Sequence, residues 1–417
     1  MKRTADVIVV GGGMVGMTTA LALAPSGLEI LVLDNNPLTP NQLIDKVARE
    51  QDEGYDPRVS ALTCASQTLL QRVGAWPFIQ SMRLSPYTDM DVWDGEGSGH
   101  IHFSSETLHE PHLGHIVENR VTVAALYQAA IAVDNVEIIT GAAVTQLSDV
   151  DAATGCRTLQ CADGLMLSAK LVIAADGAHS KVRQLAAIPM WEWDYGHHAI
   201  VTTVETALPH QATAWQRFTE DGPLAFLPLD NPKLSSIVWS TSPDHAKLLM
   251  ELDDDAFCAA LERAFESKLG AIIKSDTRFS VPLRQRHAKY YVQPGLAIVG
   301  DAAHTIHPLA GQGVNLGLMD AAALAEQVIA AFQRGEAFET LPVLKRFQRQ
   351  RQSSNLQMSA MMELFKQLFG HQLPLLKLMR GMGMNALDKF GSAKDHLVML
   401  AMGLGDDMPK FARREQE

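Results

Sequence analysis

The chain has 417 residues, 47% hydrophobic and 20% charged, which excludes a disordered or low-complexity polymer. Its 47 acidic against 35 basic residues give a net charge of −12. With no basic block, it lacks the means to neutralise a phosphate backbone, which argues against nucleic-acid binding. At about 150 residues per domain, two to three domains are expected.

Cys64, Cys156, Cys161 and Cys258 contain no CxxC pair, so neither a disulfide framework nor a zinc site is expected and a reducing compartment fits. The apolar run after Met1-Lys2-Arg3 is interrupted by Asp6 and by Gly11, Gly12, Gly13 and Gly16, which argues against a signal peptide. No apolar stretch is expected to reach the ~18 residues of a membrane span. A cytoplasmic location is expected, with contact at the periphery of the inner membrane left open.

Asp6 to Val10 reads as a buried strand and leads into Gly11-Gly12-Gly13-Met14-Val15-Gly16, a GxGxxG. Thr18 to Ala24 reads as a helix, Leu28 to Leu33 as a second strand, and Asp34 ends it. This is the βαβ pattern of a dinucleotide site. Gly11 allows the tight turn, Gly13 lets backbone approach a pyrophosphate, and Gly16 lets helix and strand pack closely. The helix N-terminus offers N–H groups and partial positive charge, and Asp34 can accept from a ribose hydroxyl. The motif alone does not separate NAD from FAD.

Further on, the strand Leu171–Ala175 runs into Asp176-Gly177-Ala178-His179-Ser180-Lys181-Val182-Arg183, a DGxxSxxR. A third strand, Leu296–Val299, ends in Gly300-Asp301-Ala302-Ala303-His304, followed by Pro308, Gly311-Gln312-Gly313-Val314-Asn315 and an Ala-rich helix to about Phe332. A strand-end carboxylate can hold a polyol. A second helix N-terminus can face a ring that becomes anionic on reduction. A flavin has both a ribitol and such a ring; a nicotinamide cofactor has neither. The absence of a second GxGxxG argues against the disulfide-reductase type.

These three motifs, in this order, resemble the aromatic-hydroxylase class of FAD-dependent monooxygenases, of which p-hydroxybenzoate hydroxylase is the type. The resemblance implies an α/β fold: a discontinuous Rossmann-like FAD domain (1–75, 100–185 and 280–340), an inserted β-sheet substrate domain (76–99 and 186–279) and a C-terminal helical region (341–417). It implies that Gly11, Gly13, Met14, Val15, Gly16 and Asp34 bind the ADP half of FAD. It places Gly300 and Asp301 at the ribitol, and Gly311, Gly313, Val314 and Asn315 at the isoalloxazine edge. Pro308 would lie beside the ring, and Asp176 near FAD and the pyridine nucleotide. Arg58, Arg120 and Val144 match residues near the cofactor; for the two arginines an exposed ion pair is the competing reading.

Beyond the flavin motifs, Leu113–Arg120, Trp215–Phe218, Gly222–Leu229, Gly300–Asp320 and the C-terminal Leu368-Phe369-Gly370 and Ala401-Met402-Gly403-Leu404 look like the ubiquinone-biosynthesis hydroxylases. Tyr195–Val201 and Ser236–Ser240 resemble the branch that hydroxylates a 2-polyprenylphenol at C5. The implied activity uses FAD, NADH or NADPH, and O2, through a flavin C4a-hydroperoxide that attacks the ring. Implied partners are a polyprenylated phenol and a quinone-biosynthesis protein complex. Alternatives are another ring position and a non-catalytic lipid-handling subunit.

A phenol reacts best as phenolate, so a base would help. His197, His198, His304, His307 and Tyr195 are the candidates. His197 and His198 point to opposite faces of a strand, so at most one serves, and His198 is the choice. His304 and His307 read better as structural partners in the flavin turn, and no third ligand supports a metal. Asp253-Asp254-Asp255 reads as a helix start. From Leu341 onward a helical region opens with Arg346, Arg349 and Arg351. It continues with Met358, Met361, Met362, Leu364 and Phe365, which suit core packing or a lipid-access surface.

Overall fold

The structure, a computed structural model, describes residues 2–95, 97–305, 313–370, 402 and 408–414. Two large sheets and one small sheet organise it. The first strand, Lys2–Val10, lies inside an eight-stranded sheet, parallel to Ile30–Asp34 on one side and to Met166–Ala174 on the other. Val7, Ile8 and Val9 are fully buried, as a strand covered on both faces requires. The order continues outward to Val136–Thr140 on one edge and to Leu296–Ile298 and Val292–Gln293 on the other. The strands that carry the three motifs therefore stand side by side, although their sequences lie more than a hundred residues apart.

The helix Met14–Leu23 packs between this sheet and the helix Gly313–Gln333. Both are apolar almost all round, the signature of a helix covered on every side. By length and composition, Gly313–Gln333 is apolar enough to cross a membrane, which corrects the expectation of no such stretch. Its most apolar window is 72% buried inside the protein, because its alanines and leucines fill the core.

The second sheet has nine strands, in the order His304–Thr305, Phe279–Ala288, Met190–Thr206, Leu234–Thr241, Gly222–Pro228, Thr213–Thr219, Asp89–Asp94 and His100–Ser104, with Ile272–Ser275 beside Met190–Thr206. The helices Pro243–Glu251 and Asp254–Ala264 cover one face, over Ile200, Phe226 and Trp239. Asp253 caps the latter helix by accepting from the Ala256 amide, as the acidic run suggested. The expected domain boundaries at 100 and 280 cut across this sheet. His100–Ser104 pairs with Asp89–Asp94, and Phe279–Ala288 pairs with Met190–Thr206. Trp76 and Ile79, counted with the substrate domain, pack in the core of the first sheet. Alternation along a strand shows that it has one buried face but not which sheet that face meets.

A small sheet of Val59–Thr63, Gly114–Glu118 and Ser85–Tyr87 lies between the two bodies. Within it His115 is buried against Trp76 and His112, at ring distances of 5.0 and 4.2 Å, and its Nδ1 has no partner among the described residues. Burial, then the neighbouring His112, pushes its pKa down to about 3. Between that value and about 6.5 the unfolded chain binds a proton that the folded chain refuses. Stability is therefore expected to fall with pH below 6.5, by up to about 1.4 kcal/mol per unit. Urea midpoints of wild type and His115→Gln from pH 7 to pH 4 check this. Identical slopes would refute it.

Candidate active site

The glycine turn is built as the sequence suggested. Gly11 has φ +108°, and a Cβ there would overlap the Ala175 carbonyl oxygen. A Cβ on Gly16 would overlap the Gly11 carbonyl oxygen. Gly13 has nothing within 4 Å of where a Cβ would stand, and it forms the N-cap of the Met14–Leu23 helix. With no described atom there, the N–H groups at that helix end are open to a ligand, the arrangement that binds anions. Asp34 ends its strand beside the turn, where it accepts from the Asn36 amide at 2.7 Å and from the Tyr127 hydroxyl at 3.2 Å.

DGxxSxxR proves to be a double helix cap with a strap. Asp176 Oδ2 accepts from the Lys181 and Val182 amides at 2.7 and 3.2 Å. Ser180 Oγ accepts from the Arg183 amide at 3.0 Å. The buried Arg183 guanidinium then donates to the Ala302 carbonyl at 2.9 Å and the Ala178 carbonyl at 3.0 Å. The second motif is thereby tied to the third.

The third motif rests on a buried polar network. Asp320, from the helix Gly313–Gln333, is fully buried and accepts four hydrogen bonds: from the Gly300 amide at 3.1 Å, His304 Nε2 at 2.5 Å, Arg351 Nε at 2.8 Å and Asn355 Nδ2 at 3.1 Å. Burial alone would raise its pKa; His304 and Arg351 outweigh this and hold the carboxyl well below the usual range. Asn355 continues to the Tyr291 hydroxyl, and Tyr291 to His287. His304 is thus a structural partner, as read from the sequence. The network itself is not legible in the sequence: nothing singles out Asp320 within Gly300–Asp320, or Arg351 from Arg346 and Arg349.

These parts surround a cleft of about 810 Å³, within the usual range for a bound cofactor. Gly13, Met14 and Val15 line it from the first motif, Gly177 and His179 from the second, and Asp301, Gly313 and Val314 from the third. Asp301 is exposed to the cleft yet deep between its walls, and that burial raises its carboxyl pKa against the pull of His304 and Arg286. Thr305 Oγ1, which lines the cleft, and Asp176 Oδ1, between the lining residues Ala175 and Gly177, are buried without a partner among the described residues. An empty glycine turn, a carboxylate for a polyol and unpartnered polar atoms fit FAD, and bound FAD supplies the oxygen activation.

Other expected residues take different places. Pro308, Gly311 and His307 lie outside the described residues, as do Ala401, Gly403 and Leu404 of the C-terminal pattern. Asn315 is buried, with its amide on the Ala61 carbonyl at 2.8 Å and its oxygen on Ser66 Oγ at 2.7 Å; it anchors the helix start. The Arg58 side chain is 80% exposed, 4.0 Å from Asp56. Arg120 is half-hidden, bound to Glu118 at 2.7 Å and to the Gly54 carbonyl at 2.6 Å. Val144 is buried at the start of a strand away from the cleft. His198 is not among the residues that line the cleft, and its ring meets Ser280 Oγ at 3.1 Å beside a bulge at 194–198. A residue without a motif does line it: the buried Arg286, 3.6 Å from Glu192.

The chain matches the FAD binding domain family model over residues 4–359. It is 40% identical to the 3-demethoxyubiquinol 3-hydroxylase of Escherichia coli (strain K12), across 97% of this chain and 100% of that protein. It is 36% identical to the ubiquinone hydroxylase UbiL of Rhodospirillum rubrum, across 99% and 93%. It is 33% identical to the Homo sapiens mitochondrial ubiquinone biosynthesis monooxygenase COQ6, across 95% and 92%. In fold it is similar to p-nitrophenol 4-monooxygenase PnpA from Pseudomonas putida DLL-E4, with a TM-score of 0.76 at 20% identity over 97% of this chain and 99% of that one. The strand–turn–helix geometry, the cleft and this likeness along nearly the whole chain lead to one assignment: it belongs to the FAD-dependent ubiquinone-biosynthesis hydroxylases.

Proposed function

We propose that the protein hydroxylates a polyprenylated aromatic ring, with the ring held in an apolar cavity behind the cleft. The observation that carries this is the strand Val59–Thr63. Its Val59 and Ser60 line the cleft, while its Ala61 lines a second cavity with Tyr87, Met90, Ile116, Ala214, Trp215, Ala225 and Leu227. Three alanines, with Gln216 as the one side-chain amide of the lining, suit a ring with a hydrocarbon tail. Such a site orients the ring and excludes water. Asp301, Gly13 and the two helix ends would hold FAD on the cleft side.

Two ring positions have separate support. The C5 position of a 2-polyprenylphenol rests on the 195–201 and 236–240 segments. The position hydroxylated in demethoxyubiquinol rests on 40% identity to the E. coli enzyme of that name. The purified, FAD-loaded protein is to be given NAD(P)H, O2 and either a short-chain 2-prenylphenol or a short-chain demethoxyubiquinol, and the products weighed. One added oxygen with one of the two is the expected result and decides the position. Nicotinamide oxidation with both rings unchanged would reject the proposal.

A further inference from the structure

The second cavity leaves only about 10 Å³ of free space, room for roughly one water and too little for an aromatic ring. If the ring is to lie there, as the function above holds, one of its walls must yield. Every wall is a strand held in a ladder, including Tyr87 against Gly114 and Met90 between Ala214 and Phe103. The wall of Tyr87 and Met90 differs in what lies behind it. Tyr87 and Met90 back onto a small buried cluster of Cys64, Leu113 and Met402.

This cluster is secured from the C-terminal end of the chain. The Met402 carbonyl accepts from the Ala65 amide at 3.4 Å. Arg72 donates to the Lys410 and Arg413 carbonyls. Glu326 accepts from the Phe411 amide at 2.7 Å. Arg414 donates to both oxygens of Glu110, at 2.8 and 2.7 Å. Glu110 belongs to the connection that leaves the second sheet at Ser104 and enters the small sheet at Gly114. That connection holds the cavity wall directly, through Ser105 N to the Thr88 carbonyl at 2.8 Å and Leu113 N to the Tyr87 carbonyl at 2.9 Å. The Arg414 side chain is 45% exposed and that of Glu110 16%, so water reaches the pair from the arginine side and screens it in part.

We infer that the Glu110–Arg414 clasp, with Met402 behind it, is the yielding wall of the ring cavity: it opens to admit the tailed ring and closes to shut out water. Glu110 and Arg414 are positioning residues, since neither lines the cavity. Cys64 serves as the reporter. It is fully buried beneath Arg414, and burial pushes its thiol pKa up to about 11. Of the four cysteines only Cys156 is partly exposed, so a Cys156→Ser background leaves no readily labelled thiol.

In that background, the FAD-loaded Glu110→Arg, Arg414→Glu and double charge-swapped proteins are treated with a disulfide-exchange dye. Each single change is expected to speed Cys64 labelling at least tenfold. In the presence of a short-chain 2-prenylphenol, each is expected to lower the ratio of hydroxylated product to NAD(P)H consumed at least threefold. The double change restores both to within twofold of the parent, with FAD retention constant throughout. Glu110→Gln supplies the same comparison, with smaller effects, should charge reversal unfold the chain. Unchanged labelling in the singles, or no restoration in the double, overturns the clasp. Faster labelling with normal coupling overturns its role as the cavity wall. Labelling needs no turnover, so a protein that labels as expected and hydroxylates nothing supports the clasp while rejecting the function.

Discussion

Asp320→Ala is expected to destabilise the protein by roughly 3–5 kcal/mol, the range for removing one partner of a buried ionic pair. The carboxylate is fully buried and accepts from four groups on two segments, Gly300–His304 and the helix Leu341–Gly370. Its loss leaves the 3% exposed Arg351 guanidinium facing no anion and takes the acceptor from His304 and the Gly300 amide. Because Gly300 and Asp301 are one turn, FAD affinity is expected to drop with stability. Arg351→Met, which also removes the opposing charge, is expected to recover part of the loss in the double variant. The carboxyl pKa is depressed, so its contribution is complete above about pH 4 and disappears only as pH falls through the still lower folded value. Chemical denaturation of the apo-proteins, with FAD titrations alongside, checks this; a stability change under 1 kcal/mol would be irreconcilable with the network.

Gly16→Val is expected to abolish FAD retention while leaving the rest of the sheet assembled. The added carbons would overlap the Gly11 carbonyl oxygen, which belongs to backbone held by the Gly11 amide bond to the Leu33 carbonyl at 2.7 Å. Backbone cannot swing aside as a side chain can, so the helix must shift off the sheet. Its N-terminus then no longer points at the place of the pyrophosphate. A loss on the order of 100-fold in FAD affinity, about 3 kcal/mol, is the expected size. Fluorescence titration of the apo-protein measures it. Wild-type affinity would mean that the turn does not carry the phosphates.

The first βαβ unit was legible because each of its residues has a local reason: a φ that only glycine tolerates, a contact that admits no Cβ, an acid at a strand end. DGxxSxxR was legible as a pattern, but its physical content was not. Ser180 and Asp176 act as caps, and Arg183 reaches a carbonyl 119 positions away. Tertiary partners of this kind leave no periodicity. The same holds for Asp320 with Arg351 and Asn355, where a charged residue inside an Ala-rich helix signals burial with a partner but cannot name it. His198 shows the converse. Alternation placed one of the two histidines inward, but the bulge at 194–198 reset the alternation and left His198 on Ser280. Arg286 was missed because nothing in Arg284-Gln285-Arg286-His287 marks one arginine as buried.

The position of the first strand in its sheet has a consequence for how the chain comes to be folded. Lys2–Val10 lies between Ile30–Asp34, made soon after it, and Met166–Ala174, made some 160 residues later. On a ribosome, one edge of that strand stays open while the next hundred and more residues are still being made. Six of the nine strands of the second sheet then intervene before Leu296–Ile298 and the Arg351 anchor arrive. Assembly by such distant pairings is slow, and an apolar edge waiting for its neighbour invites association with other chains. Release of FAD-competent protein is therefore expected to lag behind chain completion and to depend on holding factors that shield the open edge during synthesis.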